Sequence, residues 1–318
     1  MNVYKALGYK CNLLLTCGRD YMYFDKSFNT YNQLNDYLLY FPEFKMYMSP
    51  LYFSSRLGFP DNMIYAQDAL LIKETTILGE TSFVPDYTTI EKPDYTASAD
   101  SVFQVLTISP DCKTAKLKCH RSLTGHKGSY IQGFYPFMED EEREELLKEY
   151  FDYGHVYFNP DSAVVQDTSI DVIGIKPFTI DANLNGSNLL SQADDHVVVL
   201  VGELIGPQAE LYDSVKRTLP IDHGYGCQYI RKLHIIIPDG YTVENASDFD
   251  IDIKLKNAAG NPTAWFVSKQ RLEGNTFMID IDESYTEIRY ELADYEQFRT
   301  VVNAAANFNK IKLILKKS

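Results

Sequence analysis

Five cysteines, six histidines and a few acidic pairs are the side chains of this 318-residue chain best suited to chemistry. A thiol attacks acyl carbons once an imidazole takes its proton, and clustered thiolates, imidazoles or carboxylates hold metal ions. Cys11, Cys17, Cys112, Cys119 and Cys227 are odd in number and show no CxxC spacing. Neither a disulfide framework nor a zinc site is indicated, and the thiols read as unpaired and structural. Cys11 and Cys17 sit six apart in a strand-like run and share a face. Either could serve as a nucleophile only as a thiolate, and nothing nearby would lower its pKa. Cys119 and His120 are neighbours on a strand, so they point to opposite faces and cannot form a thiolate–imidazole pair.

The histidines His120, His126, His155, His196, His223 and His234 show neither HxH nor HExxH spacing. No metal and no cofactor is therefore expected. His223-Gly224-Tyr225-Gly226 reads as a turn before it reads as a site. Asp194-Asp195 and Asp280-Ile281-Asp282-Glu283 have clustered carboxylates but not the loop grammar of a calcium site, and read as solvated turns. The chain also holds 24 tyrosines and 18 phenylalanines, clustered at Tyr21-Met22-Tyr23-Phe24 and from Tyr47 to Phe53. Such rings suit peptide or sugar surfaces, but ordinary sheet packing is the first reading.

The elements that must position these groups are mostly strands. Met1 to Gly8 looks like the end of a helix stopped by glycine, so a fragment of a longer chain is expected. A buried strand at Cys11–Cys17 follows, then a hairpin of Tyr37–Phe41 and Lys45–Met48, and a short strand at Ala69–Ile72. Phe83–Ala99, with its prolines and lack of period, reads as a linker or wrapping strand. Val102–Ile108 and Ala115–Arg121 alternate and form a hairpin around Pro110-Asp111. Asp140–Phe151 is an acidic helix ending at Gly154, with Leu146, Leu147, Tyr150 and Phe151 as its apolar stripe and a solvated acidic face.

Further strands are expected at Ala163–Val165, Phe178–Asn183 and His196–Val201, the last apolar enough to be covered on both sides. Leu233–Pro238, Ile251–Leu255, Trp265–Val267, Phe277–Ile281 and Glu287–Tyr290 then recur at roughly ten-residue spacing, the pattern of a β-sandwich. A closing helix spans Asp294–Asn307. Lys310–Lys316 could add an edge strand guarded by lysines. The fold class is thus mainly β with minor α (α+β). Three units are expected: 1–80, 81–205 and 206–318.

Charge bounds the partners. Thirty basic against 44 acidic residues give −14, which repels phosphate backbones and anionic lipid headgroups, so nucleic acid is a poor partner. No stretch approaches the roughly 20 apolar residues of a membrane span.

Three stretches carry a family likeness: Ala6-Leu7-Gly8 leading into the Cys11 strand, Tyr31-Asn32-Gln33-Leu34-Asn35-Asp36-Tyr37-Leu38, and Met46-Tyr47-Met48-Ser49-Pro50 followed by Leu57-Gly58-Phe59-Pro60. In order and spacing they resemble the bacterial transglutaminase-like (cysteine-protease-type) proteins that carry this domain among β-sandwich domains of unknown function. Gly202-Glu203-Leu204-Ile205-Gly206-Pro207, Tyr295-Glu296-Gln297-Phe298-Arg299 and Phe308-Asn309-Lys310 are similar to the C-terminal extension of those proteins. The resemblance makes residues 1–80 the C-terminal part of the transglutaminase-like domain.

It also implies a cysteine at a helix start, a histidine after an asparagine on the next strand, and an aspartate on the strand beyond. Here the nucleophile's helix would lie upstream of Met1, Asn35-Asp36 stands for the Asn-His pair, and Ser49 stands for the aspartate. A carboxyl of pKa near 4 is a poor proton shuttle at neutral pH. Asn35, Asp36 and Ser49 are therefore vestigial positions without a catalytic role. The expected function is that of a pseudoenzyme: a non-catalytic cell-envelope fragment whose β-modules bind a protein, peptide or glycan. The resemblance places it in the periplasm or outer envelope of a Gram-negative bacterium. The alternative is part of a cysteine protease or acyltransferase whose nucleophile lies upstream.

Overall fold

The computed structural model describes residues 1–52, 55–157, 159, 162–212 and 216–318. Strands dominate and helices are few, so the chain is mainly β with minor α. Phe53, in the second aromatic cluster, lies outside the described residues.

The first 90 residues build a five-stranded antiparallel sheet. Its order is Met46–Met48, Asp36–Phe41, Asn12–Thr16, Asp68–Ile77 and Glu80–Thr89. The hairpin around residues 42–45 is as expected, with Leu39 opposite Met48. The fifth strand falls on the stretch read as a linker or wrapping strand. Glu80–Thr89 pairs along its whole length with Asp68–Ile77, and Pro85 is tolerated because the strand lies at the sheet edge.

An eight-stranded sheet holds most of the remainder, in the order Ile251–Lys256, Pro262–Glu273, Thr276–Tyr285, Cys227–Ile236, Ala99–Ile108, Ala115–Leu123, Phe178–Asn185 and Ala163–Gln166. Its central contact is parallel, between Ala99–Ile108 and Cys227–Ile236. Strands from both sides of residue 206 thus share one hydrogen-bonded ladder. A parallel pair needs a long crossover, and here everything between residues 108 and 227 supplies it.

A four-stranded sheet of Leu190–Ala193, His196–Val199, Leu313–Lys317 and Tyr241–Val243 covers part of the large one. Val197, Val199, Leu313 and Leu315 belong to the same buried core as Leu117, Leu184, Ile235 and Phe277. Two expectations change here. Leu313–Lys317 is paired on both sides, so it is an interior strand and not an edge. His196–Val199 alternates in burial, with Val197 and Val199 in the core and His196 and Val198 half-exposed, so it is covered on one face and not on both.

The helix Tyr295–Phe308 lies against Ile251–Lys256 and Pro262–Glu273, burying Phe298, Val301, Val302, Ala305 and Phe308 at helical spacing. The acidic helix spans Asp140–Tyr150, with Glu142 accepting from the Glu139 amide at 2.9 Å. A further helix, Gly125–Phe134, has no counterpart in the sequence reading. Its glycines argue against helix by propensity, yet a Cβ at Gly128 would stand 2.4 Å from the Leu123 carbonyl oxygen. Close packing selected glycine there at the expense of a readable pattern.

Arg19 ties the five-stranded sheet to the rest. Its guanidinium is almost wholly buried and donates to Asp222 at 3.0 and 3.3 Å, to the carbonyl of Gly224 at 2.7 Å, and to those of Asn62 and Met63 at 3.1 Å. His126 makes a second tie, with Nε2 3.1 Å from the Tyr65 hydroxyl and its ring against Phe59 and Tyr225.

Candidate binding cavity

Residues paired across a sheet share a face, and steps of two along a strand keep to it. Four rows cross the eight-stranded sheet on its core side. The first is Phe277, Ile235, Leu106, Leu117 and Leu184, and the second is Ile279, Leu233, Gln104, Cys119 and Ala182. The third reads Ile281, Arg231, Val102, Arg121 and Ile180, and the fourth Glu283, Tyr229, Asp100, Leu123 and Phe178. The face therefore runs from wholly apolar to charged. A cavity of about 630 Å³ opens at the charged end.

Asp100 organises its floor. Arg121 grips the carboxylate in bidentate fashion, Nε to Oδ1 at 3.0 Å and Nη2 to Oδ2 at 2.7 Å. Arg231 donates Nη2 to Oδ2 at 2.9 Å and Nη1 to the Asp100 carbonyl at 2.6 Å. Arg121 also donates to the Tyr150 carbonyl at 2.5 Å and lies 4.5 Å over the Tyr150 ring. Burial alone would raise the Asp100 carboxyl, but Arg231 and Arg121 outweigh it and hold the group down at about 2.

Glu283 shows the reverse balance. Burial pushes its carboxyl up, against a 2.7 Å hydrogen bond from the Tyr285 hydroxyl and the attraction of Arg231 and Lys127. Lys127 reaches in from the Gly125–Phe134 helix, donates to the Tyr229 hydroxyl and sits 4.0 Å from the centre of that ring; burial lowers its pKa. His223 is held by the short ladder of Ile221–Asp222 with Arg289–Tyr290 and stacks on Tyr285 at 4.6 Å. Its Nδ1 faces the Tyr225 carbonyl at 3.0 Å. A carbonyl can only accept, so Nδ1 carries the proton and Nε2 offers a lone pair. Burial lowers the pKa of this ring, which favours the neutral form.

The apolar wall comes from Ile205, Phe266, Phe298 and Val302, while Glu149, Asp152, Gln208 and Arg217 also line the cavity. Two stretches quoted for the family likeness meet beside it. Gly202 lies under the end of the Tyr295–Phe308 helix, where a Cβ would come 2.3 Å from the Phe308 carbonyl oxygen. Asn309 donates to the carbonyls of Gly202 and Gly206 at 3.3 and 2.9 Å.

Asn35, Asp36 and Ser49 lie elsewhere, in and beside strands of the five-stranded sheet. Asp36 opens its strand opposite Thr16, with Asn35 just before it. Burial and then the charges of Asp61 and Asp20 raise the Asp36 carboxyl. Ser49 is buried, and its hydroxyl has no hydrogen-bond partner. Cys17 is fully buried beside them, and burial, Asp36 and Asp20 all push its thiol up. Cys11 donates to the Met1 carbonyl at 3.7 Å.

All five cysteines are buried, with Cys119 pushed up to about 11. Cys119 faces the core while His120 turns outward to Asp181 at 2.8 Å. His155 pairs with Glu203, and His196 with Asp195 and Glu244. Among the described residues no cluster of three metal-ligating side chains occurs.

Two sequence readings are corrected by this site. Asp280–Glu283 is no solvated turn: it lies inside the strand Thr276–Tyr285, with Glu283 on the cavity floor. His223 is more than a turn residue, since it lines the same cavity. Asp100, Arg121 and Arg231 went unnoticed in the sequence. The signal was a charged residue in the apolar phase of an alternating strand: Asp100 before Val102, Arg121 after Cys119, Arg231 before Leu233 and Glu283 after Ile281.

Residues 205–315 match a family model described as a "Domain of Unknown Function with solved-structure structure" (DUF3858). That segment contributes Arg231, Glu283, His223 and the Tyr295–Phe308 helix to the cavity, while Asp100 and Arg121 lie before it. No curated protein matches the chain. Among solved structures, the chain is similar to a "putative protease" from Parabacteroides distasonis ATCC 8503 at 9% identity and a TM-score of 0.44. The match covers 98% of this chain and 41% of that one, so the chain spans about two fifths of the length of the solved structure it resembles.

Proposed function

We propose that this chain is a non-catalytic binding part of a longer cell-envelope protein, and that the cavity at the charged end of the large sheet holds its ligand. The observation that carries this reading is the Asp100–Arg121–Arg231 cluster facing an open volume of about 630 Å³. Burying three charges is costly unless they are matched, and a sheet with no ligand to grip could fill the same rows with aliphatic side chains. The volume lies within the range of pockets that enclose small molecules.

The non-catalytic half of the proposal rests on two supports. Asp36 and Ser49 stand where the family likeness calls for an imidazole and an orienting carboxylate. Cys17, Cys119 and Cys227 are all raised by burial, so they stay protonated at neutral pH and are weak nucleophiles.

The test uses the whole chain against short peptides and oligosaccharides, read by thermal shift and by product formation. Ligands should raise the melting temperature, Val302→Trp should cancel the rise by filling the cavity, and no cleavage or amine crosslinking should appear. Turnover that a thiol alkylator abolishes would overturn the reading in favour of the protease or acyltransferase alternative.

A further inference from the structure

We infer that the cavity takes a small organic monocarboxylate with an apolar body, its carboxylate received by the N–H groups that Asp100 leaves unused on Arg121 and Arg231. This rests on reading the cavity as the binding site and adds the chemical class of its ligand.

Donor counting supplies the first support. A guanidinium has five N–H donors. Arg121 makes three hydrogen bonds, two to the Asp100 carboxylate and one to the Tyr150 carbonyl. Arg231 also makes three, to the Asp100 carbonyl, the Ile230 carbonyl and the Asp100 carboxylate. Each arginine therefore keeps two N–H donors unspent, and both side chains line the cavity. Asp100 fixes the two planes, so the spare donors are already aimed and their rotamer entropy is already lost.

Charge selects the valence. On the sheet itself two guanidinium groups face the Asp100 carboxylate, an excess of one positive charge that one ligand carboxylate neutralises while Glu283 is protonated; around the rest of the cavity Arg217 is outnumbered by Glu149 and Asp152. A phosphate dianion would be over-charged there, and it would pass Glu149 and Asp152 while entering a protein of net charge −14. Phe266, beside Glu283 in the same row of the sheet, and Phe298, Val302 and Ile205 from outside the sheet offer the apolar contact that a hydrocarbon body needs.

Glu283 sets how the grip varies with pH. It is faced by Tyr285 on its own strand, Tyr229 and Arg231 on the next, Lys127 from the Gly125–Phe134 helix and Asp100 beyond, with His223 stacked on Tyr285. Protonated, Glu283 leaves the floor positive. Ionised, it cancels the charge that the ligand needs. Carboxylate binding should therefore weaken as pH rises.

Isothermal titration of the 318-residue protein with phenylacetate, 4-phenylbutyrate, N-acetylphenylalanine and N-acetylleucine, each beside its primary amide and beside inorganic phosphate, tests this. The acids should bind about tenfold or more tighter than the amides, since amides leave the charged donors unmatched. Arg231→Lys should remove most of that preference, because an ammonium cannot reproduce the fork. Affinity should drop about threefold or more as rising pH ionises Glu283, and Glu283→Gln should flatten the profile. If Arg231→Lys does not fold, the acid–amide contrast and the Glu283→Gln profile decide alone. Amides binding as tightly as acids, or phosphate binding more tightly than either, sinks the inference and leaves the cavity a binding site. No binding by any acid or amide, with Val302→Trp also without effect on peptides and sugars, sinks both.

Discussion

Charge gathers in two regions of this molecule, and it is handled in opposite ways. In the large sheet, Asp100 sits between two guanidinium groups, and its carboxyl is held at about 2 although burial opposes this. Beside the five-stranded sheet, Asp36 and Asp20 act on Cys17 while Asp61 and Asp20 act on Asp36, and the Asp36 carboxyl and the thiol both rise. The first cluster stabilises the ionised forms of Asp100 and Arg121; the second works against ionisation of Asp36 and Cys17. Interleaved opposite charges make a rigid device that can hold a further ion. Gathered like charges neither activate a thiol nor orient an imidazole. The direction of the shift separates the two clusters: one holds its carboxylate ionised, the other resists ionisation.

The strongest way to break this contrast is to remove its centre. Asp100→Ala should cost about 3–5 kcal/mol in urea unfolding, because two buried guanidinium groups lose their counter-charge. A cost below that of an exposed ion pair would mean that the cluster is not under real electrostatic demand.

The pH dependence of stability gives the next effect. His126, at the seam between the two regions, is lowered by burial from 6.5 to about 4. The unfolded chain then binds the proton more readily, so stability is lost as pH falls from 6.5 towards 4, by about 3 kcal/mol in all. His126→Phe should remove that slope in denaturant titrations across the window. Asp100 acts lower down. Its depressed carboxyl contributes stability above about pH 4 that disappears as pH falls towards 2. Glu283 runs the other way, since its raised pKa makes stability fall as pH rises through the folded value. Glu283→Gln should therefore stabilise the protein at pH 8 more than at pH 5.

A steric prediction sharpens the binding side. Gly128→Ala should destabilise by about 1–3 kcal/mol through overpacking against the Leu123 carbonyl. It should also displace Lys127 from Tyr229, visible as a change in the tyrosine near-ultraviolet circular dichroism. The smallest effect belongs to the acidic cluster. Asp36→Asn should leave stability unchanged or raise it by up to about 0.5 kcal/mol at pH 7, an exposed-pair magnitude. A large loss there would show that Asp36 is paired and that the contrast is mistaken.

Much of the fold was legible because alternation was legible. The hairpin of Ala99–Ile108 with Ala115–Leu123, the strands of the last third, and the helices Asp140–Tyr150 and Tyr295–Phe308 all follow from period two or period 3.6. The Glu80–Thr89 strand was hidden by Pro85 and by exposure on both faces. The Gly125–Phe134 helix was hidden by glycines that only its neighbours explain. The cavity was legible in part: each of its charges breaks the apolar phase of a strand, but single breaks look like noise until the strands are placed side by side.

Composition and local pattern by themselves determined that the chain is β-rich and that it is strongly acidic. These are properties of single residues and short windows, which need no partner to be read. The tertiary structure alone decided that Asp100, Arg121, Arg231 and Glu283 share one floor. Their meeting depends on the parallel pairing of strands more than a hundred residues apart, and on a register that puts four inward positions into two adjacent rows. Register is set by the packing of the whole apolar face, so no local window contains it.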